Sequence, residues 1–206
     1  MKLYWSPRSP FVRKVMVCAH ELGIADRIEK QYTLVSLRQI NAQMLLVNPV
    51  GRIPALVTDD GTVLYDSVVI CEYLDATYGD GTLFPRDGAR RWDALRRHAL
   101  ADALLETLVL WRDETSRPPE QQSHEIHAAF ERKVSSALGA AEQEAERLGE
   151  SAPDIGDLTL GVALGYLDFR YAALGWRDEH PRLAHAYARF GLRPSMQDTT
   201  PHDEQA

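Results

Sequence analysis

The sequence predicts a small α/β layer with a mixed sheet over residues 1–78, followed by an all-helical unit over residues 89–206. Three observations carry that prediction. The first 78 residues read strand, helix, strand, short helix, strand, strand, helix, the order βαβ-ββα. The segment "GDGTLFPRDG" at 79–88 concentrates Gly, Pro and Asp and reads as a linker. Beyond it the apolar residues recur at helical spacing and no convincing strand follows. At 206 residues, 45% of them hydrophobic, the chain can bury real cores in two units.

The elements follow in order. Residues 2–5 form a short apolar run ended by Ser and Pro, a strand signal. From Pro10 to Leu22, Phe11, Val12, Val15, Met16, Ala19 and Leu22 keep helical spacing, and Gly23 is a stop. Residues 28–34 read as a second strand and 38–47 as a short helix or turn. Two short strands, 55–57 and 63–65, flank Asp59-Asp60-Gly61 as an antiparallel hairpin. A helix capped by Asp66-Ser67 then runs to Gly79. Helices are expected over 89–115, 120–148, 158–174 and 181–191, with breaks at 117–119, 149–156 and 175–180. The tail after Pro194 reads as irregular.

Composition excludes several functions. The net charge is −7 and no basic stripe occurs, which argues against a nucleic-acid partner. No apolar run is long enough to span a membrane. The first residues lack the apolar stretch of a secretory signal, so a cytoplasmic location is expected. Two cysteines, Cys18 and Cys71, both on apolar helical patterns, read as buried reduced thiols. His124 and His127 are three apart, without the spacing of a helical zinc motif, and read as a solvated helix face. No metal site is expected.

Three segments can carry chemistry, and each has a plain structural role beside the functional one. Ser9 precedes Pro10, which suits the first helical position, so Ser9 reads as an N-cap. The same helix N-terminus can also hold an anion such as a thiolate. Pro54 opens a strand and holds Ile53 extended, with the main-chain groups of Ile53 free to pair outward. An ordinary edge proline has the same signature, and spacing does not decide whether the bond is cis. Asp66-Ser67 caps a helix, yet it can equally hold the ammonium and carboxylate of an α-amino acid head group. Together the segments suit an extended acidic peptide.

"SPRSPFVRKVMVCAHELG", "NPVGRIPALVTDDGTVLYDSVVICEYLD" and "DIGDLTLGVALGYLDFRYAALGW" followed by "RPS" resemble the soluble, bacterial-like glutathione S-transferases across essentially the whole chain. The resemblance implies a thioredoxin-like N-terminal domain and an all-α C-terminal domain that supplies the electrophile site. It implies that Pro54 is a cis-proline and that Ile53 pairs its main chain with the cysteine of glutathione. Asp66 and Ser67 would hold the γ-glutamyl end, and Arg52 would reach the glycine carboxylate. Asp66 stands where many relatives carry Glu or Gln. Ser9 matches the catalytic serine of serine-type classes; cysteine-type relatives carry Cys at or beside this place. Asp154-Ile155-Gly156-Asp157 resembles the family's helix-capping motif, with Asp154 where Ser or Thr is usual.

The implied activity is transfer: the glutathione thiolate, as co-substrate, attacks a small electrophile, in a homodimeric enzyme without a metal. Phe11, Trp111 and Arg112 are the candidate electrophile-site residues. The alternative is a non-catalytic relative that uses the same fold to bind a partner or ligand. The first reading predicts a large loss of activity in Ser9→Ala; the second predicts weak or absent glutathione binding.

Overall fold

The computed structural model describes residues 1–149 and 152–203, which form two compact units. One comprises Met1–Arg86 together with the segment from Pro194 onward; the other is Asp87–Arg193. Positions 150–151 of the expected break and 204–206 of the expected tail lie outside the described residues.

The first unit holds a four-stranded mixed sheet in the order β2-β1-β3-β4. Its strands are β1 (Lys2–Trp5), β2 (Glu29–Tyr32), β3 (Ala55–Val57) and β4 (Val63–Leu64). β1 runs parallel to β2 and antiparallel to β3, and β3 is antiparallel to β4. The helices are α1 (Pro10–Glu21), α2 (Ala42–Leu45) and α3 (Ser67–Tyr78). This is the βαβ-ββα order that the sequence predicts, in the thioredoxin-like form that the resemblance implies. Leu3, Leu56, Val12, Val15, Ala19, Ile70 and Leu74 are fully buried and form its core between sheet and helices.

α1 ends where Gly23 takes φ +68°, a conformation that suits a residue without a Cβ. The N–H of Ile24 then returns to the carbonyl of Ala19 at 2.9 Å. β2 is shorter than expected and exposed throughout as an edge strand, while the flanking Ile28 and Thr33 are buried. α2 is a single turn capped by Asn41, whose Oδ1 accepts from the N–H of Met44 at 3.0 Å. Of the short helix or turn expected over 38–47, Ala42–Leu45 is helical and the rest is turn or irregular.

The segment read as a linker is pinned down. The carboxylate of Asp75 accepts from the N–H of Leu83 at 3.0 Å and of Phe84 at 2.7 Å, and both apolar side chains are buried. Residues through Arg86 therefore belong to the first unit. The tail, read as irregular and as part of the helical unit, instead contains the one-turn helix α9 (Pro194–Gln197), which packs on α1.

The second unit consists of α4 (Gly88–Thr115), α5 (His124–Gln143), α6 (Ile155–Tyr171), α7 (Trp176–Glu179) and α8 (Pro181–Phe190). α6 is buried along most of its length and packs on α4, as a helix apolar on all sides must. It starts three residues earlier than its periodicity indicates because Asp154 and Asp157 form a capping box. Asp154 Oδ1 accepts from Gly156 N at 2.9 Å and Asp157 N at 3.2 Å, and Asp157 Oδ2 accepts from Asp154 N at 3.0 Å. α5 starts at His124 rather than 120, because Ser123 caps it and Pro118-Pro119 leads into a 3₁₀ turn. No described helix is long and apolar enough to cross a membrane.

Candidate active site

The strand register brings the three candidate segments to one end of the sheet. Tyr4 pairs with Ala55, so the chain leaving β1 toward Ser9 lies beside the chain entering β3 from Ile53-Pro54. Leu64 pairs with Leu56 in the antiparallel sense, so β4 delivers Tyr65, Asp66 and Ser67 to that same end. The convergence follows from topology alone: β1 and β4 both finish where β3 begins.

Ser9 sits at the N-cap of α1 in an extended conformation. Its Oγ accepts from the N–H of Val12 at 3.3 Å, and its carbonyl accepts from Arg13 N at 2.9 Å. The hydroxyl hydrogen has no acceptor among the described residues, so one O–H donor remains at a half-buried helix N-terminus. Ser6 is a turn residue: its carbonyl accepts from Ser9 N and its Oγ from Arg8 N.

The Ile53–Pro54 peptide bond is cis, as is Tyr65–Asp66. Ile53 is buried, and its N–H and C=O make no hydrogen bond to any described residue. Asn48 shapes the approach. Its Nδ2 donates to Arg52 O at 2.8 Å and its Oδ1 accepts from Val50 N at 3.1 Å. Gly51, at φ +64°, closes a turn onto the Asn48 carbonyl at 2.8 Å. Arg52 is thereby left exposed, with no ion-pair partner among the described residues.

Asp66 caps α3, accepting from the N–H of Val68 at 3.1 Å while its carboxylate stays exposed. Ser67 is 2% exposed, and its hydroxyl has no partner among the described residues. A helix N-terminus, an exposed carboxylate and an unused hydroxyl thus stand together, a set that can hold an anion and a cation at once. The protein's own thiols are withdrawn from the chemistry. Burial pushes the Cys18 thiol well above its ordinary range, and Cys71 beside it pushes the same way.

Residues 8–77 match the family model for the glutathione S-transferase N-terminal domain, and residues 124–189 match that for the C-terminal domain. A glutathione transferase family member from Pseudomonas fluorescens Pf-5, solved with bound glutathione, is 42% identical. The match covers 98% of this chain and 99% of that one, with a TM-score of 0.94. The chain belongs to the glutathione S-transferase family.

Two further relatives are informative. A glutathione S-transferase from Methylobacillus flagellatus KT, solved with glutathione bound, is 36% identical over 98% of this chain and 99% of its own, at TM-score 0.85. The uncharacterized GST-like protein YibF of Escherichia coli K12 is 29% identical over 98% of both chains.

The candidate electrophile-site residues of this family member occupy different settings. Phe11 lies half-buried in the first turn of α1, in the first unit. Trp111 and Arg112 lie near the end of α4, in the second. The Trp111 indole is 8% exposed and stacks on Tyr171 at 5.1 Å between ring centroids. Its N–H donates to Nδ1 of His127 at 2.9 Å. Its ring and its donor are thus engaged inside the helical unit, whereas Arg112 is exposed. His127 is correspondingly not on a solvated face, although His124 is. Among the described residues no group of three or more His, Cys, Asp or Glu gathers as a metal site.

Sequence reasoning missed the part played by Asn48. Asn followed by Pro and, two residues on, Gly is a turn signature, and the signal was present in "NPVGR".

Proposed function

We propose that this chain is an active glutathione S-transferase of the serine type. The observation that carries the reading is the convergence of Ser9, Ile53-Pro54 and Asp66-Ser67 at one sheet end, each with an unused polar group, in a chain 42% identical to a protein solved with glutathione. Glutathione lies extended across that end. The main chain of Ile53 pairs with its cysteine, as another strand would. Asp66 takes the α-ammonium, Ser67 and the N-terminus of α3 take the α-carboxylate, and Arg52 takes the glycine carboxylate.

The sulfur then rests near Ser9. The free O–H donates to it, while the other side of the oxygen keeps capping the helix through Val12. A hydrogen bond to a charged group is worth about 1.5–3 kcal/mol, enough to lower a thiol pKa of about 8.5 by roughly one to two units. The thiolate fraction at pH 7 rises accordingly from about 3% toward roughly 25–75%. Reduced basicity takes back part of the gain, so placement of the electrophile beside the sulfur supplies the remainder. The thiol proton passes to solvent as the thiolate forms; the sulfur–carbon bond then forms as the leaving-group bond breaks, or as the π bond of a polarised double bond breaks and the resulting carbanion takes a proton from solvent. Phe11, two residues after Ser9 in the first turn of α1, contacts the electrophile. The enzyme works as a cytoplasmic homodimer.

The test is retention on immobilised glutathione followed by turnover of a panel of electrophiles. Retention with turnover, and a large loss in Ser9→Ala, is the expected result. Absence of both retention and turnover would overturn the reading in favour of a non-catalytic relative.

A further inference from the structure

The C-terminal segment is fastened along α1, the helix that Ser9 caps. Arg13 is 7% exposed, and its Nη2 donates to the carbonyl of Met196 at 3.1 Å, while Nε donates to Oγ1 of Thr199 at 3.4 Å. Thr199 is itself held, donating to the carbonyl of Ser195 at 2.7 Å. Further along, the Ser195 hydroxyl donates to the carboxylate of Glu21, and Nδ1 of His20 lies 3.8 Å from Asp198. Met196 and Ser195 are buried. The segment therefore grips α1 at residues 13, 20 and 21, over most of its length.

The first of these grips lies one turn from Ser9. The main-chain N–H of Arg13 takes the Ser9 carbonyl at 2.9 Å, so the residue that anchors the segment also closes the first turn of the helix. A donor aimed at a sulfur works only if held to about 0.5 Å, and a displacement of about 1 Å costs on the order of 100-fold in rate. Among the described residues, Ser9 has the Val12 and Ser6 bonds besides this one to fix its place. We propose that Arg13, clamped by Met196 and Thr199, is a positioning residue that aims the Ser9 hydroxyl at the glutathione sulfur. The proposal rests on the reading of Ser9 given above.

The test follows the thiol of bound glutathione by ultraviolet absorbance against pH, in the full chain and in Ser9→Ala, Arg13→Gln, Arg13→Lys, Thr199→Val and the double variant Ser9→Ala/Arg13→Gln. Arg13→Gln and Thr199→Val are expected to raise the thiol pKa part of the way to the Ser9→Ala value, with glutathione affinity little changed. Arg13→Lys, which keeps one donor, should fall between Arg13→Gln and the parent. The double variant should match Ser9→Ala alone, because a mis-aimed hydroxyl and an absent one are equivalent. Thr199→Val changes no charge and keeps the proposal testable should the Arg13 variants fail to fold. Variants that lose thermal stability but leave the bound thiol unmoved would reduce the clamp to a structural role and overturn the proposal. If Ser9→Ala itself leaves the thiol unmoved, or the parent does not bind glutathione, the reading of Ser9 fails, and this inference with it.

Discussion

Arg97 places its Nη1 2.6 Å from Oδ1 of Asp157, across from the carboxylate that closes the α6 capping box. The same guanidinium reaches Asp154, the other half of the box, and Asp93 on its own helix. One side chain thereby ties the start of α6 to α4, the two helices at the centre of the helical unit.

Removing it leaves two carboxylates without their cation. Asp157 has only 7% of its side chain exposed. Arg97→Met should therefore destabilise the helical unit by about 3 kcal/mol in chemical denaturation, the loss expected when one partner of a buried pair is removed. Asp154→Ala should cost about 1–2 kcal/mol, the usual range for losing a helix cap. A change under about 0.5 kcal/mol in Arg97→Met, the level of an ordinary surface substitution, would mean that the box stands without its clamp.

The acid response of the unit contains two opposing signs. Burial raises Asp93, but the Arg96 bond and the charges of Arg97 and Arg147 outweigh it and hold the carboxyl below its ordinary value. The Ser123 N–H, with Arg117, does the same for Glu114. Stability from these two is present above their unfolded values of about 3.9 and 4.3 and is lost as pH falls through the folded ones. Asp157 runs the other way: burial and Asp154 raise it against the pull of Arg97. Its contribution is present below about 3.9 and is lost as pH rises through its folded value. Thermal melts from pH 7 to pH 3 should show Asp93→Asn losing less stability than the parent, and Asp157→Asn losing more, because protonation of Asp157 offsets part of the acid loss in the parent.

Asn48 should matter to the proposed glutathione site more than to the fold. It holds Val50 and Arg52 through both ends of its amide and so fixes the chain entering Ile53-Pro54. Asn48→Ala removes two part-buried side chain–main chain hydrogen bonds, at about 0.5–1.5 kcal/mol each. Retention on immobilised glutathione should fall, while the melting of the helical unit stays as in the parent. Unchanged retention in a folded variant would detach this turn from the peptide site.

Much of this was legible in the sequence because it is local. Ser9-Pro10 and Asp66-Ser67 announce helix starts by cap chemistry, and Gly23 and Gly79 announce the stops. The hairpin at Asp59-Asp60-Gly61 declares itself by turn residues between apolar runs. What stayed hidden is set by distant partners. The tail reads as irregular because nothing near Met196 or Thr199 in the chain reveals that Arg13 donates to them. His127 reads as solvated because its partner, Trp111, lies on another helix. Periodicity starts α6 late because it begins with the apolar residues, while the helix begins with its caps. For the site, the sequence supplied the residue types and the register supplied their meeting place.

The central claim is that the unused hydrogen of Ser9 lowers the pKa of the glutathione thiol. The direct measurement is the pH dependence of turnover with a saturating electrophile, in the parent and in Ser9→Ala. The account predicts that the alkaline-rising limb of the profile moves up by about one to two pH units in the variant. It also predicts a loss of about threefold at pH 7, the gain in thiolate fraction less the offset from reduced basicity, which disappears above pH 9, where glutathione ionises unaided. A profile that keeps its midpoint, whether or not the rate falls, would contradict it and leave Ser9 as the cap of α1 alone.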